Sequence, residues 1–134
     1  MNTKKILLLA LSGLILFNLI LLPTSAITPR WLNTRRILIQ HENISGTAWC
    51  EVQIAGKTGT TKIDNINITL SRISGTAEIP IAKWENLSVT GSTFNFFEGV
   101  DNVPTGYLYR LSITANVHKD GFIEEIEDYS DTEY

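Results

Sequence analysis

Between residues 107 and 118 apolar and polar side chains alternate without a break. Tyr107, Tyr109, Leu111, Ile113, Ala115 and Val117 fall on one side, and Leu108, Arg110, Ser112, Thr114, Asn116 and His118 on the other. A period of two predicts a half-buried β-strand, because successive side chains leave opposite faces. Weaker versions of the signal recur along the chain. Residues 36–44 are rich in β-branched side chains, and 46–54 turn Ala48, Cys50, Val52 and Ile54 inward and Trp49, Glu51 and Gln53 outward. Residues 62–73 carry Ile66, Ile68 and Leu70 on one face, with Ile63 out of phase, so a bulge is expected near Asp64. In 78–87 the apolar members are Ile79, Ile81 and Trp84, and Pro80, which cannot donate to a ladder, puts the segment at a sheet edge. Residues 90–97 point Phe94 and Phe96 the same way. The last segment, 122–129, carries Glu124, Glu125, Glu127 and Asp128, as suits an edge that must resist pairing with other chains.

The segments between these strands are turn chemistry. Asp101-Asn102-Val103-Pro104-Thr105-Gly106 and Lys119-Asp120-Gly121 bracket the long strand with residues that bond their own backbone, fix φ or admit positive φ. Gly56-Lys57-Thr58-Gly59-Thr60-Thr61 is also a turn; a phosphate-binding loop needs a glycine at position 51, which is Glu. About seven short strands at spacings near ten residues, with no helical period, predict an all-β fold, a single antiparallel sandwich. Pro104-Thr105-Gly106-Tyr107-Leu108-Tyr109 resembles the corner before strand F of immunoglobulin-like and fibronectin type III-like sandwiches. There a tyrosine hydroxyl closes onto upstream backbone, a part open to either Tyr107 or Tyr109.

Outside the sandwich the expectations are different. Residues 1–26 read as a signal peptide: Lys4 and Lys5, an apolar run from 6 to 22, then Pro23-Thr24-Ser25-Ala26 as a cleavage region. Retention of that run as a membrane anchor is the competing reading. Residues 27–35 are expected to be an irregular lead-in whose Arg30 and Arg35, with Arg36 beyond, meet the acidic C-terminal segment. The sandwich is expected over 36–129 and a frayed acidic tail over 130–134. Eleven Lys and Arg against 14 Asp and Glu give a net charge of −3, and loss of the leader removes two lysines more. That balance argues against nucleic-acid binding, which needs a basic footprint. Cys50 is the sole cysteine, so no internal disulfide supports the fold, and it is expected to act as a small buried apolar residue.

The sequence is poor in chemistry. His41 and His118 have no partner at metal-ligand spacing, and no nucleophile elbow or EF-hand is present. No catalytic, cofactor or metal residue is assigned, and the chain is read as non-enzymatic. Gly46-Thr47-Ala48-Trp49-Cys50, the Gly56–Ile63 stretch at 56–63, Trp84, and Gly106-Tyr107-Leu108-Tyr109-Arg110-Leu111 occur in an order that resembles small secreted proteins of Gram-positive bacteria. The resemblance spans roughly 36 to 129 and implies an immunoglobulin-like fold without an assigned activity; the acidic last strand departs from it. The function expected is a secreted, monomeric binding module for an extracellular protein or glycan, with no nucleic acid and no stable membrane insertion after cleavage. A small secreted effector, bacteriocin-like or inhibitory, is the alternative. Trp49, Arg110, Ser112, Thr114 and His118 are the candidate interaction surface.

Overall fold

The computed structural model describes residues 31–134. The expected leader at 1–26, and Arg30 with the first part of the lead-in, lie outside the described residues. Seven strands follow in order: β1 (Thr34–Ile44), β2 (Thr47–Gly56), β3 (Thr60–Ser74), β4 (Ala77–Thr90), β5 (Thr93–Val100), β6 (Leu108–Lys119) and β7 (Phe122–Glu133). They form a three-stranded sheet, β1-β2-β5, and a four-stranded sheet, β4-β3-β6-β7, and every pairing is antiparallel. The described residues are thus all-β.

The core lies between the two sheets and follows from the alternation. Ala48, Cys50, Val52 and Ile54 come from one sheet; Ile68, Leu70, Tyr109, Leu111, Ile113, Ala115 and Val117 come from the other. All are buried, and the long β6 supplies the largest share. The expected bulge is present in β3, where the register shifts between Ile63 and Ile66. Asn65 takes φ 48°, a left-handed conformation that Asn tolerates better than most residues. The extra residue lets Ile63 and Ile66, three apart, both face the core. Strands β4 and β7 are the outer strands of their sheet, as Pro80 and the acidic run imply.

Tyr109 closes the corner. Its hydroxyl donates to the Pro104 carbonyl at 2.6 Å, whereas Tyr107 stands 44% exposed with the Arg72 guanidinium over its ring. The alternation therefore starts one residue later than the pattern suggests, at Leu108, because Gly106 at φ 89° ends the turn and rotates the chain before the ladder begins. Ile79 and Ile81 are likewise exposed and not in the core; β4 turns Ala82, Trp84, Leu87 and Val89 inward instead.

Both ends of the sandwich are more ordered than the sequence suggests. The tail at 130–134 is not frayed, since β7 runs to Glu133 and pairs with β6 up to Leu108. Tyr134 then bonds Gly106 and Tyr107 through its backbone and stacks its ring on Tyr109 at 4.4 Å. At the other end β1 already begins at Thr34. Among the described residues, neither Arg35 nor Arg36 makes the expected link to the acidic segment. Glu124 instead accepts from the backbone amides of Leu32, Asn33 and Thr34 and from the Thr34 hydroxyl, satisfying donors that no ladder partner reaches. Arg36 turns away to Gln53.

Candidate functional site

The five candidate residues separate onto two surfaces. Arg110, Ser112, Thr114 and His118 alternate with the core residues of β6, so they lie on the outer face of the four-stranded sheet. Trp49 alternates with the core residues of β2 and lies on the outer face of the other sheet. The core separates them, so they do not form one site.

The four-stranded face is largely engaged with itself. Arg110 holds Asp131 through two bonds of 2.7 and 2.9 Å and Glu78 through a third of 2.6 Å, while its guanidinium lies 4.1 Å from the centre of the Tyr129 ring. These carboxylates, Asp131 first, push the Arg110 pKa up, and the guanidinium in turn holds the Asp131 carboxyl below its usual range. His118 Nε2 is 2.7 Å from Asp64 Oδ1, and Lys62 is 3.3 Å from the other oxygen. The bond from His118, more than the Lys62 charge, lowers the Asp64 pKa. Ser112 reaches the Thr69 carbonyl and Thr114 accepts from Asn67, both at 3.4 Å. Such a face has few donors or acceptors left for a partner.

The three-stranded face differs. Trp49 on β2 and Phe97 on β5 are diagonal neighbours across the pair, since Trp49 sits opposite Gly99 and Phe97 opposite Glu51. Their rings stack at 5.3 Å between centroids and 10° between planes. Gly99 makes this possible: a Cβ there would lie 2.9 Å from the indole, so only glycine lets the ring lie over the strand. Trp49 remains 37% exposed and Phe97 63%. With Ile44, Gln40, Glu42 and Glu51 they line a concavity of about 480 Å³. Ile44 is half exposed, and Glu42 faces Trp49 directly across the β1–β2 ladder.

His41 also borders this concavity, but its ring is spent on the core side. Nε2 donates to the Ser130 carbonyl at 2.8 Å, which leaves Nδ1 to accept from the Tyr134 hydroxyl at 2.5 Å. Burial keeps its pKa below the ordinary value, so the neutral ring is favoured. It fastens β1 to β7 and offers no free nitrogen to the concavity. Among the described residues no three His, Cys, Asp or Glu side chains converge as metal ligands. Cys50 lies beneath the face, fully buried, with its thiol pushed up to about 11 by desolvation.

Sequence reasoning singled out Trp49 and missed Phe97. The signal was present in the Phe96-Phe97 pair, since adjacent residues of a strand face opposite ways and only one can be core. It did not identify Glu42 and Ile44, whose place depends on a ladder register that periodicity does not give.

No protein-family model matches the chain, and no curated protein matches it. Among solved structures it is similar to a β-glucuronidase of Parabacteroides merdae, crystallised with glycerol in its active site. Identity is 12%, the TM-score is 0.45, and the match covers 72% of this chain and 13% of that one. The chain therefore matches a small part of that enzyme, and a likeness this low carries no argument about fold family or activity.

Proposed function

We infer that the chain is a secreted, non-enzymatic binding module that meets an extracellular partner through the outer face of its three-stranded sheet. One observation carries this: a large aromatic pair, Trp49 and Phe97, is stacked and left open over a concavity instead of being covered by a loop. Exposed apolar groups cost about 25 cal/mol for each Å² they fail to bury, so a fitted aromatic surface of this kind is best explained by a ligand that covers it. Trp and Phe at the centre of such a surface are also the side chains from which interfaces draw much of their energy.

Kinship with small secreted immunoglobulin-like proteins belongs to the same proposal. The placement of β4 beside β3, away from the β1-β2-β5 sheet, is unlike the ABED and CFG grouping of constant-type immunoglobulin domains, and so favours the fibronectin type III-like form. Secretion rests on the pattern of residues 1–26; mass spectrometry of secreted material should find a chain starting at Ile27, and a full-length membrane-bound product would contradict it. The binding role is tested by probing peptide and oligosaccharide arrays with the wild-type chain and with Trp49→Ala. Binders lost on that substitution, with the unfolding midpoint retained, are expected. Binders that survive it unchanged would move the site elsewhere.

A further inference from the structure

The domain contains its own example of what an aromatic ring flanked by carboxylates accepts. On the four-stranded face the Arg110 guanidinium lies over Tyr129 and is held there by Asp131 and Glu78. Ring, carboxylates and cation complete one another: the π-face attracts the cation, and the acids fix it by charge-assisted hydrogen bonds. The three-stranded face repeats the first two parts. Glu42 stands opposite Trp49, and Glu51 opposite Phe97, so each ring of the stack has a carboxylate across the ladder. The cation is the part that is missing. No Lys or Arg is among the described residues that line the concavity.

Neither acid is neutralised by another of the described residues. Glu42 has no hydrogen bond or ion pair among the described residues, and Glu51 accepts only from the neutral amide of Gln53, at 3.1 Å. The cation that reaches this face, Arg36, bonds the oxygen of that same Gln53, four residues along β2 from Trp49, or roughly 13 Å at strand spacing. It marks the far end of the face and leaves the charge around the rings negative.

We propose that the Trp49–Phe97 concavity receives an arginine or lysine side chain from an exposed segment of a partner protein, held over the aromatic stack between Glu42 and Glu51. This rests on the reading of that face as a docking surface and goes further by naming the chemistry of its ligand. A neutral glycan would also stack on the rings, but it would leave two carboxylates with nothing to balance their charge. A cationic side chain uses the rings and both acids. Arg fits best, because its planar guanidinium stacks on a ring while presenting N–H groups at its edges to both carboxylates.

The test uses two probes of stated composition, a short peptide of alternating Arg and Gly and a neutral β-1,4-linked glucose oligosaccharide, titrated calorimetrically into the folded chain. The peptide is expected to bind, and Trp49→Ala and the pair Glu42→Gln with Glu51→Gln are each expected to weaken it at least tenfold. Salt near 1 M, which screens charges beyond about 3 Å, should weaken it similarly. Thr114→Ala, on the opposite surface, should leave it unchanged. Phe97→Leu keeps an apolar group at its site and serves should Trp49→Ala fail to fold; it too should weaken the peptide. Peptide binding that survives the Glu42 and Glu51 changes, or binding by the oligosaccharide alone, would overturn the cationic ligand. Oligosaccharide binding lost in Trp49→Ala would still leave the face as the docking surface. No binding of either probe would overturn the inference.

Discussion

Truncating Leu111 to Ala tests the packing on which every face assignment depends. Leu111 is fully buried in the middle of β6, between Leu70 of β3 and Ser130 of β7. The change withdraws three carbon groups from the core at about 0.8 kcal/mol each, or about 2.4 kcal/mol of lost transfer energy. Strands locked on both sides do not collapse fully into the space, and the remaining cavity raises the cost to roughly 3–5 kcal/mol. A domain of about a hundred residues has on the order of 5–15 kcal/mol in all, so the loss is a large share of it. Ser112, the next residue, faces outward, and its bond to the Thr69 carbonyl is long at 3.4 Å. Ser112→Ala should cost about 0.5 kcal/mol or less. Urea unfolding followed by tryptophan fluorescence measures both, and a common m-value would show that the same surface is exposed in each. Equal losses at the two positions would refute the separation of faces. A larger loss at Ser112 would mean that β6 is slipped by one residue.

Other outcomes follow from buried groups. Cys50, with its thiol pushed up to about 11 and no exposed surface, should react with a thiol reagent far more slowly in the native than in the urea-unfolded chain; equal rates would put it at the surface. His41 should make the fold acid-sensitive. Burial lowers its pKa from 6.5, while the Ser130 carbonyl and Asp131 oppose this only in part. As pH falls the unfolded chain therefore takes up the proton first. The stabilisation is complete above about pH 6.5 and declines below it until the folded His41 titrates. Asp131, held low by Arg110, adds a second loss only below its ordinary 3.8. His41→Gln should flatten the first decline in unfolding free energy and leave the second; an unchanged profile would show that His41 is not its source.

The elements were legible because period two assigns faces. Ala48, Cys50, Val52 and Ile54 in β2 and Leu111, Ile113, Ala115 and Val117 in β6 are buried as their alternation requires. The bulge was legible too, from the phase break between Ile63 and Ile66. What alternation does not encode is the partner across the ladder. Arg110 looks free for binding in sequence, yet Asp131 comes to it from the neighbouring β7 and Glu78 from β4, across β3. Tyr134 looks like a loose end, yet a stack on Tyr109 and a bond to His41 fix it. The candidate site was half visible for the same reason: Trp49 is outward by pattern, while Phe97, Glu42 and Gly99 join it only through the registers of β1 and β5.

The most direct measurement is an amide NMR titration of the isotopically labelled chain with the Arg-Gly peptide. Its signals read every strand of both faces in one experiment. Shifts are predicted at Glu42, Trp49, Glu51, Phe97 and Gly99, together with the Trp49 indole N–H, while Ser112, Thr114 and Glu127 on the other surface stay in place. Shifts concentrated on Ser112, Thr114 and Glu127, or spread evenly over both faces, would contradict the assignment of the three-stranded sheet as the binding surface.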